Sequence, residues 1–132
     1  MTERDIAPEV RDLLRLSINT YEKLNILLLL RRRQVSLSVA EVATSLGLDV
    51  RDARQTLEGL VERELVAGVP PDQFWFRPRS KDQRDAVDAL ARLFEEEPVR
   101  VVQWMSRQAF DRMHSTAASA FAEVVLSGRR RR

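Results

Sequence analysis

The sequence predicts a mainly α chain that carries one short β-hairpin. Two observations predict it. The first lies in SVAEVATSLGLDVRDARQTLEGLVERELV, from Ser38 to Val66, where two apolar runs flank a glycine. Val39, Val42, Ala43 and Leu46 stand at helical spacing, and so do Ala53, Leu57, Leu60 and Val61. Gly47 between them can take a positive φ and end one helix sharply. Asp49 can cap the next helix by accepting from its free N–H groups. Ala43 is small enough to let the two helices cross closely. The second observation is the pair of short runs LVAGV (65–69) and QFWFR (73–77) around Pro70-Pro71-Asp72. The β-favouring aromatics and the turn residues read as a hairpin.

The remaining elements follow in order. Pro8 suits a first helical position and predicts a helix over Pro8–Ser17, with Val10, Leu13, Leu14 and Ile18 on one side, either packed inward or laid on a second subunit. Asn19 to Glu22 fits a capping box for a helix running to about Arg33. Tyr21, Leu24, Leu27, Leu28 and Ile26 or Leu30 cover well over one face, so this helix is the central buried one. Arg31-Arg32-Arg33 closes it, as partners of the helix dipole or as phosphate contacts. Gln34–Leu37 reads as a strand of one rung. Ser36 or Ser38, with Glu41, caps a helix over Val39–Leu46, and the next spans Val50–Arg63. After the hairpin, Ser80 and Gln83 start a helix to about Glu96, with Ala86, Val87, Leu90, Leu93 and Phe94 aligned. Pro98–Gln108 has strand-like residues, but Val101, Val102 and Met105 share a helix face, and helix is the reading. Ala109–Leu126 is a further helix that Gly128 ends.

The run AEVATSLGL…ARQTLEGLVERELV resembles the core of bacterial winged helix-turn-helix proteins, over roughly Thr20 to Ser80. The resemblance implies a winged helix-turn-helix plus a C-terminal helical extension. Residues 1–80 form the winged domain with its N-terminal helix, 81–128 the extension, and 129–132 a basic tail. It also implies a DNA-binding transcriptional regulator, with helix 50–63 in the major groove and hairpin 65–77 as the wing. Winged helices also serve as protein–protein modules, so an adaptor for a regulator or sigma factor is the alternative. The resembling families often have glycine where this chain has Glu64, which leaves the end of the third helix and the angle of the wing open.

The chain has 132 residues, 44% hydrophobic and 32% charged, enough for one domain with a core or a small domain plus an extension. The formal net charge is +2, but acidic and basic residues balance over Met1–Ser80. The Arg129–Arg132 tail supplies the excess. A duplex-binding face must therefore be basic locally. There is no cysteine, which excludes disulfides, thiol nucleophiles and thiolate metal sites. No secretory signal is visible, and the longest apolar run, Ile26–Leu30, is far too short to span a membrane. The expectation is a cytoplasmic protein.

With Val50, Ala53 and Leu57 inward, helix 50–63 turns Arg51, Asp52, Arg54, Gln55 and Glu58 outward. Arginine matches guanine and glutamine matches adenine by paired hydrogen bonds, so Arg51, Arg54 and Gln55 are the candidate base contacts. Otherwise they are ordinary solvated residues. Asp49, Asp52 and Glu58 have the wrong sign for a phosphate-rich surface. Arg77 and Arg79, beside the wing, are candidates for backbone or minor-groove contacts. Trp75 either seals the wing or stacks on a base. The extension's apolar stripes need a partner surface, either the chain's own flank or a second copy. The candidate seam is Leu90, Leu93, Phe94, Trp104, Met105, Phe110, Met113 and Phe121. The expected partners are thus double-stranded DNA, a second copy, or another protein. His114 is the only histidine. With no convergent nucleophile, no metal-ligand spacing and no phosphate loop, no enzyme, metal or cofactor is expected.

Overall fold

Four of the described helices are started by a capping side chain, and the described helices pack around one apolar helix. A computed structural model describes residues 6–70 and 72–109. The elements are α1 (Pro8–Leu16), α2 (Tyr21–Arg33), α3 (Val39–Leu46), α4 (Val50–Glu62), β1 (Val66–Val69), β2 (Gln73–Phe76) and α5 (Lys81–Glu96). A further helix, α6, covers 98–109. The helix expected beyond Ala109 and the arginine tail lie outside the described residues.

Local chemistry sets the helix ends. Ser38 accepts from the Glu41 N–H at 3.1 Å while the Glu41 carboxylate accepts from the Ser38 N–H at 2.8 Å, a complete capping box for α3. These bonds hold the Glu41 carboxyl below its ordinary pKa, the Ser38 backbone bond being the largest cause. Gly47 ends α3 at φ +66°, and Asp49 caps α4 by accepting from the Arg51 N–H at 3.0 Å. Ser80 caps α5 by accepting from the Gln83 N–H at 3.1 Å. At α2 the expected box does not form. Thr20 is the cap, accepting from the Lys23 N–H at 3.2 Å, and Asn19 instead accepts from the Lys23 ammonium at 3.1 Å. The shift of one residue follows from Thr20 being the last with extended backbone.

Two further helix ends use the left-handed conformation without glycine. Gln34 closes α2 at φ +55°, and Glu64 follows α4 at φ +60°. The Leu65 N–H then bonds the Leu60 carbonyl at 3.1 Å, and the Glu64 N–H bonds Val61 at 2.9 Å. Glutamate thus performs the turn that glycine makes at lower strain.

β1 and β2 pair antiparallel with Val66 opposite Phe76 and Val69 opposite Gln73. The expected single rung is present: Leu37 and Phe74 exchange backbone bonds of 2.8 and 2.9 Å. Gly68 sits opposite Phe74, where a Cβ would meet the ring at 2.9 Å, so the close approach requires glycine. Helix α2, the single rung at Leu37, helices α3 and α4 and then the hairpin, in this order and pairing, make a winged helix-turn-helix.

α2 is the centre of the core. Leu24, Ile26, Leu27 and Leu30 are fully buried, with Ala53, Leu57 and Leu60 of α4 and Val42 of α3. Tyr21 is exposed, a departure from the expected apolar face, because it occupies the first turn of α2. Val50 is also exposed, at 51%, because α4 begins there and its inward stripe starts only at Ala53. α1 packs on α5, joining the N-terminal helix to the extension. Arg31 at the end of α2 pairs with Asp88 of α5 at 2.9 Å. In α6, Val101, Trp104 and Met105 are buried together at helical spacing, which makes this ambiguous segment a helix.

Candidate nucleic-acid interface

The capped α4 presents its polar side to solvent because Ala53, Leu57 and Leu60 fill the inward one. Arg51, Asp52, Arg54, Gln55 and Glu58 are all exposed on the outside. Arg51 and Gln55 have no side-chain ion pair or hydrogen bond to another described residue. Arg54 differs. Its guanidinium lies 3.6 Å from the carboxylate of Asp72, in the hairpin turn. The same Asp72 oxygen accepts the Val39 N–H at 3.2 Å. One carboxylate therefore ties the wing tip to the start of α3 and to the middle of the outward face of α4. The tie is partly solvated, with Arg54 at 45% and Asp72 at 32% exposure, so its strength is modest.

Arg77 and Arg79 stand at the other end of the hairpin. The Arg77 N–H bonds the Leu65 carbonyl at 2.9 Å, which places Arg77 at the base of the wing. Arg79 lies 3.6 Å from Glu64, just past the end of α4, with both side chains 64% exposed. At 1.5 Å per helical residue, that end lies roughly 20 Å from Arg51. The five candidate contacts thus divide into two groups. Arg51, Arg54 and Gln55 gather at the N-terminal half of α4 beside the wing tip, and Arg77 and Arg79 gather at its base. The described tip residues Val69, Pro70, Asp72 and Gln73 include no cation. Sequence patterning missed Asp72 as a member of this face. The signal was weak, a lone acid in a proline turn.

The residues expected at a dimer seam divide differently. Leu90, Trp104 and Met105 are buried within the single chain. Leu93 and Phe94 are partly buried and packed against the same core. Phe110, Met113 and Phe121 lie outside the described residues. The apolar side chains left open nearby are Leu16 on α1, and Val99 and Val102 on α6. Trp75 is half-buried. Among the described residues no group of three or more acids and histidines could hold a metal ion, and no helix is long and apolar enough to cross a membrane.

No protein-family profile matches the chain, and no curated protein matches it in sequence. Two solved structures are similar to it. One is the crystal structure of RV1404 from Mycobacterium tuberculosis, at 22% identity and a TM-score of 0.49, covering 93% of this chain and 85% of that one. The other is the crystal structure of MepR, a transcription regulator of the Staphylococcus aureus multidrug efflux pump MepA, at 17% identity and a TM-score of 0.48, covering 92% of this chain and 95% of that one. The winged-helix assignment rests on this chain's own element order and strand pairing.

Proposed function

We propose that this chain is a DNA-binding transcriptional regulator that lays the N-terminal half of α4 in the major groove. The observation that carries the reading is the outward face of α4. Arg51 and Gln55 are free there, one helical turn apart, on the second helix of a helix-turn-helix. Arg51 is suited to a guanine and Gln55 to an adenine, and exposed Val50 can meet a thymine methyl. Arg77 and Arg79, at the base of the wing and roughly 20 Å from Arg51 along α4, serve as backbone contacts on the flank. Fluorescence anisotropy with mixed-sequence duplex at two salt concentrations tests this on the full chain. Salt-sensitive binding that Arg51→Ala weakens by ~1–3 kcal/mol is expected. Unchanged affinity in Arg51→Ala would remove α4 as the reading helix.

A homodimer accompanies this reading, because helix-turn-helix proteins commonly pair over two half-sites. Leu16, Val99 and Val102 are the open apolar side chains it would cover. A second reading, a protein–protein adaptor, is favoured by one observation: Asp72 already faces Arg54, and the described tip bears no cation. Absence of salt-sensitive duplex binding in the experiment above would select it.

A further inference from the structure

A cleft of about 740 Å³ opens on the side of the molecule formed by the end of α2, the segment before α3, β2 and α5. That volume is within the range of small-ligand sites. Arg31, Arg32, Arg84, Asp88, Trp75 and Phe76 line it. Of the nine residues that line it, three are arginines and one is an acid. Arg31 is occupied by Asp88 at 2.9 Å. Arg32 and Arg84 are exposed, and neither meets a carboxylate among the described residues. Arg84 lies over the Phe76 ring, 5.5 Å from its centre, which holds the guanidinium at the cleft wall.

The strand edge adds a second feature. In an antiparallel ladder, residues alternate between bonding one neighbour and the other. Arg77 bonds Leu65 across the hairpin, and Phe74 bonds Leu37 on the opposite side. Phe76, two residues after Phe74, therefore turns its N–H and C=O towards the Leu37 side. The single rung has ended by then, and neither group has a backbone partner there among the described residues. The cleft is thus lined by a strand edge with an adjacent donor and acceptor, by half-buried Trp75, and by two arginines, Arg32 and Arg84, that meet no carboxylate among the described residues.

We infer that this cleft binds a nucleotide. A nucleobase has an adjacent donor and acceptor on one edge, matching the open Phe76 rung, and a flat face for Trp75. Its phosphates meet Arg32 and Arg84, whose planar forks suit phosphate oxygens. The site is separate from the outward face of α4 and does not depend on DNA being read there. It touches both the winged helix, through α2 and β2, and the extension, through α5. An occupant would also approach the Arg31–Asp88 pair that joins them.

Isothermal titration calorimetry on the full chain tests the assignment, with ADP, adenosine and inorganic pyrophosphate as probes. Saturable one-to-one binding of ADP is expected, with adenosine and pyrophosphate each at least about tenfold weaker, because each satisfies only half of the site. Arg32→Gln and Arg84→Gln should each weaken ADP by about tenfold, the size of one charge-assisted bond. Both residues are exposed and outside the core, so circular dichroism should be unchanged. No saturable ADP binding, ADP binding that both variants leave intact, or pyrophosphate binding as tight as ADP would each overturn the proposal.

Discussion

Asp72→Asn separates the two opposing roles of one carboxylate. The Asp72 oxygen accepts the Val39 N–H at 3.2 Å and faces Arg54 at 3.6 Å. Asparagine keeps an acceptor oxygen, so the bond to Val39 survives in weaker form. The ion pair is lost, but both partners are substantially solvated, so the loss is about 0.5 kcal/mol after screening. Folding stability should therefore fall by less than ~1 kcal/mol. Duplex affinity should move the other way. Removing one negative charge at about 7 Å from a phosphate relieves about 0.6 kcal/mol of repulsion in water, roughly threefold. Arg54 is released as well, and one added phosphate contact steepens the logarithmic salt dependence by about 0.9. Together these give about three- to tenfold tighter binding at low salt. The assay is anisotropy across a salt series, paired with urea denaturation of the same variant. A folded Asp72→Asn protein with unchanged affinity and an unchanged salt slope would refute the placement of the wing tip and Arg54 at the duplex.

Other outcomes follow from the same geometry. Glu64→Gly should stabilise by about 0.5 kcal/mol, because relief of left-handed strain exceeds the added unfolded-state entropy and the loss of an exposed ion pair. Gly47→Ala, with open space around the added Cβ, should destabilise by about 0.5–1 kcal/mol through strain alone, and equal signs for the two in urea denaturation would contradict the assignment of the caps. Ser38→Ala should cost about 1 kcal/mol as a lost N-cap and return the Glu41 carboxyl only part of the way towards its ordinary pKa, because the backbone N–H at position 38, the largest cause of the lowering, remains, read by NMR titration. Because the folded-state pKa of Glu41 is depressed, its contribution is present above the unfolded carboxylate range and lost as pH falls through the folded value, so the gap between Ser38→Ala and the native chain should narrow in acid. Val99→Asp with Val102→Asp should give a folded monomer by light scattering if α6 forms the homodimer seam, and a dimer that survives both changes would place the seam elsewhere.

The order and type of the described elements were legible in the sequence because their determinants are local. A cap is decided within four residues, as at Ser38, Asp49 and Ser80. The Gly47 turn needs only one residue that tolerates positive φ, and the hairpin needs only Pro70-Pro71-Asp72 between two apolar runs. Even the single rung at Leu37 and the helix after Pro98 were readable in this way. Local rules failed where two adjacent residues could do the same task. Asn19 and Thr20 were both able to cap α2, and backbone conformation selected Thr20.

Periodicity shows which residues share a face, but not what that face meets. Their place at a helix start left Tyr21 and Val50 in solvent, and tertiary packing covered Leu90, Trp104 and Met105 within the chain. It also brought Asp72 to Arg54 and Val39, set Arg79 against Glu64 far from Arg51, and left the Phe76 rung open between Arg32 and Arg84. These are contacts between residues distant in sequence. Their geometry depends on how the helices and hairpin stack, which no local spacing encodes. The sequence by itself determined the elements and most of the caps that bound them; the tertiary structure decided which charges are free to meet a partner.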